Sequence, residues 1–172
     1  MIYAQYVHAH PIDADTFLLS LLPTTPPSTQ LAMGSCTALP PTPQNFAPNA
    51  SFLSILSTVY ARHASSDPSV ISQAAALGSP GGSRGAAGHG GFLHVSDGRN
   101  PPDYGRIAWP EDIIGSVEVD GHGRFADGTG RWQDSGTYRI VTREGILGLT
   151  DYMRGKVVQE LRRLEKEMQS AQ

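Results

Sequence analysis

Charge is distributed very unevenly along this chain, and that distribution limits what it can fold into. Residues 1–100 hold only four acidic and three basic residues, whereas residues 101–172 hold twelve and ten. Eight of the thirteen prolines precede residue 50. Proline removes a backbone donor and interrupts both helix and sheet ladders. The first half is therefore read as uncharged, Pro/Ser/Thr/Ala-rich and locally irregular, and the second as an ordinary domain surface. A length of 172 residues favours one domain with flexible segments attached.

Periodicity and punctuation divide the chain into five stretches. Residues 1–22 predict a short strand, Ile2 to Val7, then a short helix from Ala14 to Leu21 capped by Asp13 and ended before Pro23. Residues 23–48 read as a Pro-rich, polyproline-like linker pinned at Leu31, Ala32 and Met33. Residues 49–77 predict a helical hairpin. Its first arm carries Phe52, Ile55, Leu56, Val59 and Tyr60 on one stripe behind an Asn49 or Ser51 cap. Its second arm starts at Asp67-Pro68 and stops at Gly78. Residues 78–91, with seven glycines, read as a flexible linker.

Residues 92–172 predict a compact α+β domain. Phe92 to Val95 is a strand, and Ile113 to Asp120 alternates as a half-buried one, with Ile113, Val117 and Val119 facing one way and Ser116, Glu118 and Asp120 the other. Asp127-Gly128 signals a turn, Thr137 to Thr142 a strand, and Glu144-Gly145 a further turn. A final helix runs from Thr150 or Asp151 to about Met168. The expected class is α+β: a small antiparallel sheet packed by a C-terminal helix and an N-terminal helical hairpin, with Pro-rich and Gly-rich flexible segments.

Several function classes are disfavoured. A net charge of −3 and a pI near 6.0 supply no basic stripe for nucleic acid. No run approaches the roughly 18 apolar residues of a membrane span. The first basic residue is Arg62, which argues against a secretory signal or transit peptide. The single Cys36 excludes an internal disulfide and a multi-cysteine zinc site, and suits the reducing cytosol or nucleus. No cofactor motif is present, so no cofactor is expected.

Candidate chemistry is sparse. His8 and His10, at i and i+2 of a strand, could share a metal, with Asp13, His63, His89 and His94 available as the further ligands zinc needs, though the bare motif reads more simply as a polar chain terminus. Gly121-His122-Gly123-Arg124 and Gly128-Thr129-Gly130-Arg131 could cradle an anion between backbone amides and arginines. With Arg139 they make His122, Arg124, Arg131 and Arg139 the candidate ligand-binding residues. Asp97, Asp103, Glu111 and Asp112, near Tyr104 and Trp109, are loop carboxylates whose burial the sequence does not reveal. Val157, Leu161, Leu164 and Met168 form an apolar seam that covers the domain's own sheet or meets a partner.

With no nucleophile elbow and no cysteine–histidine signature, no catalytic residue is assigned and the chain leans away from being an enzyme. The expectation is a non-catalytic protein-interaction module, an accessory subunit or adaptor that binds another protein. The alternative is a small ligand-binding protein or enzyme with a pocket between sheet and helices near the loops at 121–136.

Overall fold

A computed structural model describes residues 2–4, 6–78, 90–103 and 106–172. The fold is α+β, with three α-helices and antiparallel sheets among the described residues. The chain divides into two compact units. One comprises Met1–Leu56, Arg139–Leu147 and Gly155–Gln172, and the other Ser57–Tyr138 and Gly148–Arg154.

The first unit is built on a five-stranded sheet in sequential order. Its strands are β1 (Ile2–Ala4), β2 (Val7–Asp13), β3 (Thr16–Ser20), β4 (Gly34–Cys36) and β5 (Phe46–Pro48). The short helix expected at 14–21 is instead β3, hydrogen-bonded to β2 on one side and β4 on the other. A central strand flanked on both sides has its backbone satisfied by neighbours. With both faces covered it reads as an unbroken apolar run rather than an alternation. Leu18 and Leu19 are accordingly both buried.

Residues 23–48 differ from an extended linker in the same way. Leu31, Ala32, Met33 and Cys36 are buried, and β4 and β5 lie within the stretch. The prolines fall where a missing N–H is tolerated. Pro48 ends the edge strand β5, and Pro11 pairs with Phe17 at a point of β2 beyond the reach of β1, whose pairing stops at His8. A side chain at Gly34 would collide with the Ala47 carbonyl, so β4 and β5 approach closely because that position is glycine.

The helices follow the sequence signals. Helix α1 is Ala50–His63, and Asn49 caps it through Oδ1, which accepts the Ser51 amide at 3.1 Å. A single 3-10 turn, Ala64–Ser66, leads to α2, Pro68–Gly78. Asp67 Oδ1 accepts the Ser69 amide at 3.0 Å, and Val70 and Ala74 are the buried stripe. Helix α3 is Asp151–Ser170 and packs on α1. Its Met153, Val157 and Leu161 are fully buried, whereas Leu164 and Met168 are half-buried. The stretch expected as a glycine-rich linker at 78–91 lies, from 79 to 89, outside the described residues.

In the second unit β6 (Gly91–Ser96), β7 (Ile113–Val119) and β8 (Gln133–Asp134) form an antiparallel sheet with β7 central. Gly115, Val117 and Val119 are buried on β7, as the alternation predicts, but the inward residue at the strand's start is Ile114 rather than Ile113, because the pairing with β6 shifts register between Val95 and Ser96. The Trp132 indole occupies the space that a Cβ on Gly115 would need, and its ring lies 5.2 Å from that of Tyr60. The expected hairpin at 123–133 is a looser return: Val119 bridges Phe125, and a 3-10 turn follows at Ala126–Gly128. The strand expected at 137–142 shrinks to β9 (Val141–Thr142), paired with β10 (Gly145–Ile146) in the first unit. Among the described residues no helix is long and apolar enough to cross a membrane.

Candidate functional site

Most of the residues singled out by sequence are occupied by their own neighbours. In β2, the His8 and His10 rings stand 6.3 Å apart, centre to centre. His10 is buried with Nε2 3.2 Å from the Leu22 carbonyl. Burial, followed by the adjacent His10, lowers the pKa of His8. Among the described residues no three His, Cys, Asp or Glu side chains are grouped to hold a metal ion.

In the loop after β7, Asp120 Oδ1 accepts the amides of His122 at 2.8 Å and Arg124 at 3.0 Å. The amides that could have faced an anion thus hold a carboxylate of the same loop, and these bonds keep Asp120 below its ordinary pKa. The His122 and Arg124 side chains point to solvent. Gly123, at φ 79°, lets this loop press against the Ala74 carbonyl of α2, where a side chain would not fit. Arg131 pairs with Asp127 at 2.7 Å and Glu118 at 3.5 Å, all on the surface. His122, Arg124 and Arg131 belong to the second unit, Arg139 to the first. On α3, Val157 and Leu161 are spent on the chain's own core, so only Leu164 and Met168 keep part of the expected seam exposed.

The loop carboxylates give the strongest site. Asp97 and Asp112 are almost wholly buried, at 2% and 1% exposure. Asp97 Oδ1 accepts the Arg99 amide at 2.8 Å, and its Oδ2 accepts both the Tyr138 hydroxyl at 2.6 Å and the Gly148 amide at 2.8 Å. Arg99 donates from Nε to Asp112 Oδ1 at 2.7 Å and from Nη2 to the Glu111 carbonyl at 2.9 Å. Its guanidinium also lies 5.2 Å from the centre of the Tyr138 ring. Asp112 Oδ2 is buried without a hydrogen-bond partner. Burial, then the Asp97 charge, raises the pKa values of the Tyr60 and Tyr138 phenols. A separate hydroxyl link ties two helix starts: Thr150 donates to Asp67 Oδ2 at 2.9 Å while accepting the Met153 amide at 3.2 Å, so the starts of α2 and α3 share one bond.

This cluster fixes a short turn, Pro110–Asp112, that leads into β7. Four consecutive carbonyls there are all engaged. Trp109 O accepts the Asp112 amide at 2.8 Å, and Pro110 O accepts the Thr137 hydroxyl at 2.7 Å. Glu111 O accepts Arg99, and Asp112 O accepts the Asp97 amide at 2.7 Å. Yet the Trp109 side chain is 64% exposed and Ile107 56%, on either side of the buried Ala108. Both Asp97 oxygens and the Arg99 guanidinium are engaged within the cluster. Asp103 and Glu111 stay nearer the surface, and Tyr104 lies outside the described residues.

Arg99 and Tyr138 were not singled out from sequence. One signal was available: Asp97 and Arg99 are two of only seven charges in the first 100 residues. Isolated opposite charges two apart in an uncharged stretch have few partners but each other and what folds onto them. Compared with known protein families, curated proteins and solved structures, the chain matches none.

Proposed function

We propose that this chain is a non-catalytic protein-interaction module and that Ile107 and Trp109 form its contact ridge. The observation that supports this most is a large exposed indole, Trp109, at the head of a turn whose four carbonyls, 109 to 112, are held. Tryptophan is among the residues that dominate binding energy at interfaces. A turn already fixed in one shape loses little further entropy on association, so more of the contact energy appears as affinity. A Trp exposed on a loose loop would lack that advantage. In this reading the buried Asp97–Arg99–Asp112 cluster presents the ridge and takes no part in chemistry. The partner is another protein, and the compartment is the cytosol or nucleus, where a lone buried thiol such as Cys36 stays reduced.

The test compares wild type with Trp109→Ala in affinity capture followed by mass spectrometry. The indole is mostly solvent-exposed, so the variant is expected to melt within a few degrees of wild type. A reproducible stoichiometric partner on wild type that disappears from Trp109→Ala supports the ridge. The same partner retained by the variant, or no stoichiometric partner on wild type, overturns it.

A further inference from the structure

We propose that the groove between residues 24–30 and the C-terminal turns of α3 binds a cationic N–H donor, an ammonium or guanidinium carried on a methylene stem. The groove lies within the first unit and encloses about 450 Å³. That volume falls within the roughly 300–1,000 Å³ typical of small-ligand sites.

The 28–30 end of the loop wall and the helical wall are held by the chain's own bonds. The Asn49 side-chain amide donates to the carbonyls of Thr29 at 3.1 Å, Gln30 at 3.1 Å and Ala32 at 2.7 Å. The Ala32 amide closes the same loop onto Ser28 O at 3.1 Å. The opposite wall is helical, with Glu165, Met168 and Gln169 at i, i+3 and i+4 on one face of α3.

The lining selects the ligand's charge. It includes the Glu165 carboxylate and no lysine or arginine. The ion pairs of α3 are Arg154–Asp151, Arg163–Glu160 and Arg163–Glu167, and among the described residues Glu165 takes part in none. An anion would meet an unopposed carboxylate. A wholly apolar ligand would strip water from that carboxylate and give nothing back. A cation with N–H donors satisfies it, and the Ser28 hydroxyl and Gln169 amide oxygen can accept the remaining protons. Pro26, Pro27 and Met168 supply apolar surface for the stem, as such stems require. The same chemistry is carried by a lysine or arginine side chain of a partner peptide and by a free polyamine.

Backbone-amide NMR of the full chain, titrated with Nα-acetyl-lysine methylamide and separately with spermidine, tests this. Saturable shifts confined to residues 24–30 and 165–169 are expected, and the tighter probe identifies the source. Nα-acetyl-norleucine methylamide, which has the stem without the charge, is expected to give no saturable shift. Glu165→Gln is expected to weaken binding by about fivefold, the range of a partly exposed charge pair. Gln169→Lys, which leaves Glu165 in place but fills the groove with a cation, is expected to abolish it. Glu165 is half-buried in an open groove and Gln169 is exposed, so both variants are expected to keep wild-type melting. No saturable shift with either amine, or undiminished affinity in Glu165→Gln, would overturn the proposal.

Discussion

Residues 28–32 and 109–112 are both irregular backbone whose carbonyls need donors, and the molecule supplies those donors by different chemistry. In the first stretch a neutral amide, Asn49 Nδ2, serves three carbonyls while its oxygen caps α1. In the second a guanidinium, with 3% of the Arg99 side chain exposed, shares the task with the Thr137 hydroxyl and two amides. A neutral staple at a partly solvated rim requires nothing further. A buried cation does not stand alone, because the cost of taking a charge out of water falls only when an anion accompanies it. Asp97 and Asp112 therefore follow Arg99 inside, and Tyr138 and Gly148 follow Asp97. One staple is local. The other recruits a network, so its parts fail together.

Removing each staple should separate the two cases most sharply. Arg99→Met is expected to cost about 3–5 kcal/mol, since it leaves Asp112 buried without its counter-charge. Urea melts measure this, and a loss below about 1 kcal/mol would mean that the cluster is not closed to water. Arg99→Lys keeps the charge but not the fork, and should fall between wild type and Arg99→Met. Asn49→Asp keeps the acceptor for the Ser51 amide and loses the three donations. A cost of about 2 kcal/mol is expected, from several hydrogen bonds of roughly 1 kcal/mol each at a partly exposed position. Asn49→Ser, which also caps, should match it. If both variants melt like wild type, the loop carbonyls rely on water and the staple is incidental.

The gentlest comparison is by pH. No titratable group takes part in the Asn49 staple, whereas the charge of Asp97 in the Arg99 cluster acts on two buried phenols with raised pKa values, Tyr138, which donates to it, and Tyr60. The folded protein keeps those protons where tyrosines of the unfolded chain ionise, near pH 10. Below that range the phenols are neutral in both states and stability is unaffected by them. As pH rises through it, the unfolded state alone loses protons and stability falls. Tyr60→Phe should flatten that alkaline decline in urea melts run from about pH 8 to pH 11. An unchanged slope would place the loss elsewhere.

What could be read from the sequence depended on how local the cause was. The helices α1, α2 and α3 were legible because Asn49, Asp67-Pro68 and the 3.6-residue stripes act within a few residues. The alternation on β7 from Gly115 onward was legible for the same reason. Strand β3 was not, because Phe17-Leu18-Leu19 is too short a run to show a period, and its pairing with β2 and β4 decides its state. The order in 23–48 was hidden because Asn49 reaches back 17 to 20 residues to impose it. At the candidate site, Asp112 and Trp109 were visible as a loop. Their burial and exposure depend on Arg99, 13 residues from Asp112, and on Tyr138, 41 residues from Asp97. Composition does not encode such distances.

Cys36 sits on β4 between Phe17 of β3 and Phe46 of β5, with 1% of its surface exposed. Burial raises the pKa of its thiol, which also slows any reaction that needs the thiolate. As the chain's single thiol, it turns a simple alkylation experiment into a stopwatch for one place in the molecule. Under native conditions an alkylating reagent reaches it only when the packing over that face of the sheet opens. The labelling rate, divided by that of the unfolded chain, then gives the fraction of time this part of the five-stranded sheet stands uncovered. The sheet carries its own clock, with no probe to engineer.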